Sequence, residues 1–530
     1  MSSGRNSDAA PVEREVKLGA PVELRLPDLG GVRPGVSVTP LPSQQLVATY
    51  YDTDDLRLAR WGVTVRFRTE ATSSEWTVKL PAPGGPTGGL ARRELTFGGG
   101  EGELPEEVVR LVRGLTRAAP LGVVSRLRTD RLRLRLADAD GLCLAEIDDD
   151  EVSVLPHEED GQLIGSAGEG GPIVSRFREI EVELDGGDDR LLDAVVAQLR
   201  AAGAGAPDPT PKLVRAVGAR ALELPDVVVP AVGRRPSAAQ VVHAAIAGSV
   251  RTIVLRDAGV RLGDDAEDVH QARVATRRLR SDLRTFRSLV DPDWAAGVRA
   301  ELGWIAGLLG DVRDTDVLLA RFRGQLRRLP PDDAAAAAVA VARLADHRDD
   351  ARAVLLACLD STRYAKLLDE LVAAAADPPF MGRTVTGALR GPAGKPAERV
   401  LPALVRGPWR QLARDVAALG RRPPDEKLHA VRILAKRCRY AAEAVTPAVG
   451  GKARRFAEEV AAVQTVLGDL HDAVVAEAWL RDQAGRSSTD GALALGLLVQ
   501  LELQAAARAR TGWQEAWREA SRPSHRAWFR

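Results

Sequence analysis

Glu13, Glu15 and Lys17 occupy every second position of VEREVKL (12–18), so an extended backbone puts all three side chains on one face. The same sorting by charge recurs along the first 220 or so positions. Arg66 and Arg68 share a face of VTVRFR (63–68), Lys79 sits near the end of EWTVKL (75–80), and Arg126 and Arg128 form a second basic pair. Glu146 and Asp148 are in phase in another run, and Glu179, Glu181 and Glu183 oppose Ile180, Val182 and Leu184. One such strand reads most simply as a solvated sheet face. The set does not, because like charges two residues apart repel and a merely soluble surface would mix signs. Polar faces turned into one shared interior account for the pattern. Carboxylates there would hold divalent cations, and guanidinium and ammonium groups would neutralise phosphate oxygens. Inward charge is costly without a ligand, so an anion with a metal is the expected occupant. No Walker-type Gly-rich loop or nucleophile elbow is present to support a competing phosphate or acyl chemistry.

A second basic pattern follows a different period. His270, Arg273, Arg277, Arg280, Arg284 and Arg287 are spaced three or four apart, one face of a helix, beside a largely apolar stripe of Val269, Ala272, Thr276, Leu279, Leu283 and Phe286. His429, Arg432, Lys436 and Arg439 repeat the face beside Leu428, Val431, Ala435, Cys438 and Ala442, and Glu443 ends the run. Four or more like charges without interleaved acids cost repulsion on a helix, and the duplication points to a seat for a polyanion. LLGDVRDTDVL (308–318) and VLGDLHDAVVA (466–476) repeat as well, at almost the same offset as the histidine helices. Asp311, Asp314, Asp469 and Asp472 are expected to pin arginines or cap helices rather than bind metal, and Trp294, Trp304 and Trp409 to fill core.

These residues need two kinds of scaffold. Period-two runs separated by Gly/Pro turns predict an antiparallel sheet or barrel from Val12 to about Ala221, with a helix over 188–202 and long connections at 81–89 and 157–172. Residues 1–10 are small and polar and are expected to be disordered. After Ser237 the chain turns to long Ala/Leu/Arg-rich helical segments, broken at a Pro/Gly-rich stretch, 377–402. The chain of 530 residues carries 74 Lys+Arg and 73 Asp+Glu. This near-balance hides 29 basic against 37 acidic residues in 1–236, and 45 against 36 in 237–530. With 45% hydrophobic residues, a wholly disordered or fibrous chain is excluded. No apolar run approaches the ~18 residues of a membrane span, and no signal-peptide core follows the N-terminus. Three separated cysteines with no CxxC predict neither disulfides nor a zinc site, and a reducing cytoplasm is the expected location.

The first region resembles the CYTH, or triphosphate tunnel metalloenzyme, domain. The likeness begins at Glu13-x-Glu15-x-Lys17 and runs in order through Arg66-Phe-Arg68, Lys79, Arg92-x-Glu94, Arg126-Leu-Arg128, Asp148 in EIDDD and EIEVEL, to Lys212 in TPKLVRAV. Thr96 departs from it where a second Glu often follows. The resemblance implies an α+β two-domain chain whose first part (11–222) is an eight-stranded antiparallel tunnel hydrolysing inorganic triphosphate with Mg²⁺ or Mn²⁺. It gives Glu13, Glu15 and Lys17 the catalytic roles and Glu13, Glu15, Asp148, Glu179 and Glu181 to the metal. Lys17, Arg66, Arg68, Lys79, Arg92, Arg126, Arg128 and Lys212 would hold phosphate. After a linker (223–236), residues 237–520 resemble the CHAD domain, an all-α module of two pseudo-repeated bundles (about 237–376 and 403–520). That resemblance implies long-chain polyphosphate bound by His270, Arg273, Arg277, Arg280, Arg284, His429, Arg432, Lys436 and Arg439, and association with polyphosphate granules. No membrane or nucleic-acid partner is expected, since no DNA- or RNA-reading motif is present. The alternatives are a non-catalytic granule-binding protein, a thiamine triphosphatase and an adenylate cyclase.

Overall fold

The structure, a computed structural model, describes residues 12–70, 73–81, 92–159, 162–164, 173–384 and 387–529, with the side chains of 12–13, 157–159 and 162–164 left aside. Residues 1–10 and most of the two long connections therefore lie outside the described residues. The chain forms two compact units that divide between Asp226 and Val227.

The first unit contains β1 (Val12–Gly19), β2 (Ser37–Asp52), α1 (Arg57–Arg60), β3 (Thr64–Thr69), β4 (Ser74–Pro81), β5 (Arg92–Phe97), α2 (Glu106–Thr116), β6 (Gly122–Ala137) and β7 (Cys143–Leu155). A small pair, β8 (His157–Glu159) and β9 (Gln162–Ile164), precedes β10 (Ser175–Leu184), α3 (Asp189–Ala201) and α4 (Lys212–Val217). Eight strands close into an antiparallel barrel in the order β1-β10-β7-β6-β2-β3-β4-β5, sealed where Glu13 pairs with Arg92 across β1 and β5. The usual inside and outside are exchanged. Leu18, Ile147, Ile180 and Val182 point outward and are covered by Leu191, Leu192, Val195 and Leu199 of α3. Asp188 caps that helix by accepting from the Leu191 N–H. Gly187 lies so close to β7 that a Cβ would sit 2.6 Å from the Leu144 carbonyl oxygen, which fixes how the chain leaves β10. Inside, one stretch of the barrel is apolar, where Ala48, Leu127, Val152 and Val154 meet Leu213 and Val214 of α4.

The second unit is helical: α5 (Ala238–Leu262), α6 (Ala266–Thr285), α7 (Pro292–Leu326), α8 (Pro331–Leu359), α9 (Thr362–Ala376), α10 (Ala397–Ala417), α11 (Asp425–Val449), α12 (Gly451–Ala484) and α13 (Thr489–Ala520), with a last 3-10 turn at Pro523–Phe529. Ser237 and Gln240 form a capping box at the start of α5. α5 and α13 are long and apolar enough to cross a membrane by length and composition. Here they bury Val242, Ile246 and Val250, and Leu495, Leu498 and Trp513, in the protein interior. α10 begins at Ala397, inside the stretch read from sequence as a break, and runs through Pro402 and Pro408. Burial of Leu401, Val405, Trp409, Leu412 and Val416 along one face outweighs the two missing backbone donors. The sequence repeat becomes a structural one, with α6 and α7 corresponding to α11 and α12. The two repeats do not stand apart as separate bundles. Leu319, Phe322 and Leu344 of α7 and α8 share one core with Ala476, Leu480 and Leu498 of α12 and α13.

Candidate functional site

Strand register decides which charges face the barrel interior. Paired residues in an antiparallel sheet point the same way. The chain of pairings Glu15↔Glu183, Lys17↔Glu181, Glu181↔Asp148 and Asp148↔Arg133 therefore fixes one inward set on β1, β10, β7 and β6. Tyr50↔Arg66, Thr64↔Lys79 and Lys79↔Glu94 continue it around the wall. The result is a cavity of about 220 Å³. Lys17, Arg66, Arg68, Lys79, Arg92, Arg131 and Lys212 supply its cations, and Glu15, Glu94, Asp148, Glu181 and Glu183 its acids. Among the described residues Tyr50, Thr64, Pro211 and Leu213 complete the lining.

The acids fall into a deep group around Lys212. Its ammonium lies 2.9 Å from Asp150, 2.9 Å from Glu179 and 2.8 Å from Glu181. Arg131 forks onto Asp150 with two bonds of 2.7 Å, reaches Glu181 at 3.2 Å and also pairs with Asp148. Lys17 bonds to Glu181 and stands 3.4 Å from Glu15. Burial acts against the charged form of Glu181, but Lys17, Lys212 and Arg131 outweigh it and hold the carboxyl well below its usual range. Elsewhere burial wins: it pushes Asp148 up to about 6 in spite of Arg131, and raises Glu179 in spite of Lys212. Burial and the charge of Glu15 raise Glu183. Both oxygens of Glu179 are buried, one 2.9 Å from Lys212 and the other 3.5 Å from Arg215, and one oxygen of Asp148 is buried without a hydrogen-bond partner. Asp150, Glu179 and Glu181 each offer an oxygen within 4.8 Å of the others. Crowded carboxylate oxygens of this kind fit a hard divalent cation.

Most of the expected tunnel residues meet in this cavity: Glu15, Lys17, Arg66, Arg68, Lys79, Arg92, Asp148, Glu181 and Lys212 line it, and Glu179 lies behind Lys212. Glu13 has the inward register, but its side chain lies outside the described residues. Arg126 and Arg128 are corrections. They alternate with the inward residues of β6 and so face outward; Arg126 is exposed and stands 3.6 Å from Glu101. The inward basic residues of β6 are Arg131, Arg133 and Arg135, with Arg133 2.6 Å from Glu146. Asp150, also missed, is fully buried at the centre of the acidic group.

In the helical unit, α6 and α11 pack face to face. Arg277, Arg280 and Arg284 of α6 and Arg432 and Lys436 of α11 line a groove of about 190 Å³. Arg299 of α7 and Arg437 of α11, which sequence periodicity does not select, join them. Glycines of the two LGD segments lie against the arginines: a Cβ at Gly310 would stand 3.7 Å from Arg273 and one at Gly468 3.6 Å from Arg432, ordinary contacts in both repeats. Asp314 pins Arg273 at 3.0 Å, the structural role expected of it. Glu443 ties the repeats together, accepting from Arg278 at 2.5 Å and lying 3.4 Å from Arg439, which does not line the groove. His429 lies against His471 with ring centres 4.1 Å apart and planes tilted by 36°, and His270 lies within the fields of Arg313 and Lys436.

Beneath the groove Asp282 is fully buried, with Arg278 3.8 Å away and neither oxygen hydrogen-bonded. Burial pushes it to about 7. A carboxyl raised on folding stabilises less as pH climbs from its unfolded value, about 3.9, to the folded one, and the loss is complete above it. Asp282→Asn is therefore expected to raise the melting temperature at pH 8 and to do little at pH 4. At most the gain is roughly 3–4 kcal/mol, and calorimetry across that pH range reads it.

The CYTH-domain family model matches residues 13–212 and the CHAD-domain model residues 244–481. An uncharacterised protein of Mycobacterium tuberculosis strain CDC 1551 / Oshkosh is 32% identical over 520 residues, covering 94% of both chains. Its counterpart in strain ATCC 25618 / H37Rv matches to the same extent. Among solved structures, PptA from Streptomyces chartreusis is 26% identical, with a TM-score of 0.44 over 53% of this chain and 99% of its own. The CHAD domain from the plant Ricinus communis is 24% identical, with a TM-score of 0.45 over 56% and 95%. CYTH domains form a metalloenzyme superfamily that acts on triphosphates. With both domain models matched in order and a relative alike from end to end, the chain belongs to the family of CYTH–CHAD proteins.

Proposed function

We propose that the barrel hydrolyses short inorganic polyphosphate, triphosphate first, with Mg²⁺ or Mn²⁺, and that the helical unit binds long-chain polyphosphate and brings the protein to cytoplasmic polyphosphate granules. The observation that carries the enzymatic reading is the barrel cavity whose described lining holds seven cations and five acids. The one aromatic ring among its described lining residues, Tyr50, is hydrogen-bonded to Arg66. A lining this dominated by charge, with one aromatic ring among the described residues, favours an inorganic chain over thiamine triphosphate or ATP. Arg66, Arg68, Lys79 and Arg92 would clamp phosphate oxygens, arginine in two-point contact. Glu15, Asp148, Glu181 and Glu183 would hold the metal, with Glu179 and Asp150 behind them. A bound divalent ion neutralises developing charge and lowers the pKa of water, which phosphoryl transfer needs more than any covalent help from the protein. Phosphate release from tripolyphosphate, against a panel with thiamine triphosphate and ATP, tests the assignment. Metal-dependent release from tripolyphosphate alone is expected, and preference for an organic triphosphate overturns the inorganic choice.

A tunnel kept only as an anion site is the second reading. It is favoured by Lys212, whose ammonium sits among Asp150, Glu179 and Glu181, where a cation would otherwise go. A folded wild type that binds tripolyphosphate and never releases phosphate would establish it.

For the helical groove the expected signature is salt dependence. Affinity for a linear polyanion comes mainly from counterion release, so log K should fall linearly with log salt. Arg277→Ala and Arg432→Ala are each expected to shallow that slope by about one unit or less. Fluorescence anisotropy with labelled polyphosphate from 50 to 300 mM NaCl reads the slope, and a slope unchanged in both variants would remove the groove from the binding site.

A further inference from the structure

The groove between α6 and α11 gathers arginines and a single amine. Lys436 of α11 shares the cavity with Arg277, Arg280, Arg284, Arg299 and Arg432, all guanidinium groups that keep their protons under any ordinary condition. Relief of so much like charge in the free protein must therefore come through the one group that can let a proton go. Cations on both of the helices that meet at Lys436 add to the pressure. Arg273 and Arg277 face it from α6 with His270 nearby, and Arg432 and Arg439 flank it on α11. The ring of Tyr440 lies 6.0 Å from its nitrogen. Arg432 also feels His471 and Asp472 of α12. The nearest acids are engaged elsewhere, Asp314 of α7 with Arg273 at 3.0 Å and Glu443 of α11 with Arg278 at 2.5 Å. Among the described residues no carboxylate stands within 4 Å of the Lys436 amine.

We propose that a polyanion entering this groove is accompanied by a proton, taken from solution onto the Lys436 amine, so that affinity falls as pH rises above neutrality. The inference rests on the groove being the polyanion seat and adds the linkage. Burial, followed by the charges of Arg277, Arg432, Arg273 and Arg439, brings Lys436 down to about 7 in the free protein. A chain of phosphates among the same arginines reverses their field, and the ammonium becomes the favoured form. By reciprocity, what raises proton affinity in the complex raises anion affinity at low pH. In the free protein the imidazoles of His270, His429 and His471 are all held below their ordinary value by burial and the neighbouring cations, so they are neutral across this window before the anion arrives.

The test is calorimetric titration of the full chain with size-fractionated long-chain polyphosphate, in HEPES and in Tris, at pH values from 7 to 8.5. Wild type should take up a substantial fraction of one proton per site and lose affinity on the order of tenfold across the window. Lys436→Arg should bind tightly with a much flatter pH response, and Lys436→Met weakly and equally flat, so that wild type tracks the arginine variant at low pH and the methionine variant at high pH. Equal binding enthalpies in the two buffers for wild type, or a pH slope in Lys436→Arg as steep as in wild type, would overturn the linkage while leaving the groove as the seat. Absence of polyphosphate binding at every pH would instead overturn the seat, and the linkage with it.

Discussion

Glu15→Gln is expected to abolish metal-dependent phosphate release from tripolyphosphate, by at least about 100-fold, while leaving the fold intact. Glu15 lines the cavity, is buried, and stands 3.4 Å from Lys17 as its one ion pair among the described residues. Glutamine keeps its size and its hydrogen-bonding reach and removes only the charge. If Glu15 helps to hold a divalent ion, that change costs several kcal/mol of transition-state stabilisation, each 1.4 kcal/mol being about tenfold in rate. The cost should shrink as metal concentration rises, whereas lost phosphate contact would appear as weaker tripolyphosphate binding at any metal level. Steady-state kinetics over a Mn²⁺ series separates the two. A variant that turns over within a few-fold of wild type at low metal would contradict the role given to Glu15.

Arg131→Met should lower stability by about 3–5 kcal/mol, the cost of removing one partner from a buried ion network. Arg131 is the shared counter-ion of Asp148, Asp150 and Glu181, and nothing else on β6 reaches all three. Without it the remaining carboxylates repel one another and bind protons more tightly. The variant should therefore recover stability as pH falls, since a raised carboxyl favours folding more at low pH. It should also gain more than wild type from added Mg²⁺, because an ion bound only to the native state stabilises by mass action. Differential scanning calorimetry of the full chain, with and without Mg²⁺, reads both effects. A loss below about 1 kcal/mol, or one indifferent to Mg²⁺, would show that Lys17 and Lys212 suffice to hold the acids together.

How much of this was legible in the residues differs between the two units. The barrel and its polar interior follow from the phase of VEREVKL, TVRFRT and EIEVEL: in the last two only one phase carries charge, and in the first the opposite phase adds only Arg14, which pairs with Asp189 on the outer face. β6 is different. It reads GVVSRLRTDRLRLRLA, with arginines in one phase at Arg126 and Arg128 and in the other at Arg131, Arg133 and Arg135. Alternation cannot choose between the phases, and pairing with β7 does, since the inward Asp148 and Asp150 lie opposite Arg133 and Arg131. The signal available was EIDDD itself, whose two in-phase aspartates need cations across the ladder, together with the count of three arginines against two. The outward phase carries Leu132, which is 58% exposed, so hydrophobicity points the wrong way on that strand.

In the helical unit the basic face of α6 is legible because 3-4 spacing selects it. Arg299 and Arg437 are not, because each joins the groove from a helix position whose own periodicity gives no reason to turn there. The role of Glu443 is a similar case. From sequence it merely ends a basic run, and only the packing of α11 on α6 shows it accepting from Arg278 of the other repeat. The shared core of α7, α8, α12 and α13 is also invisible to periodicity, which tells a helix which face is apolar and not which repeat supplies the partner.

The most direct trial of the barrel as a triphosphate site is a crystal of the full chain grown with tripolyphosphate and Mn²⁺, with anomalous data collected at the manganese edge. Manganese density beside Glu15 and Glu181, with phosphates on Arg66, Arg68 and Arg92, is the predicted outcome. Tripolyphosphate and manganese both bound elsewhere, with the barrel cavity holding only water, would contradict it.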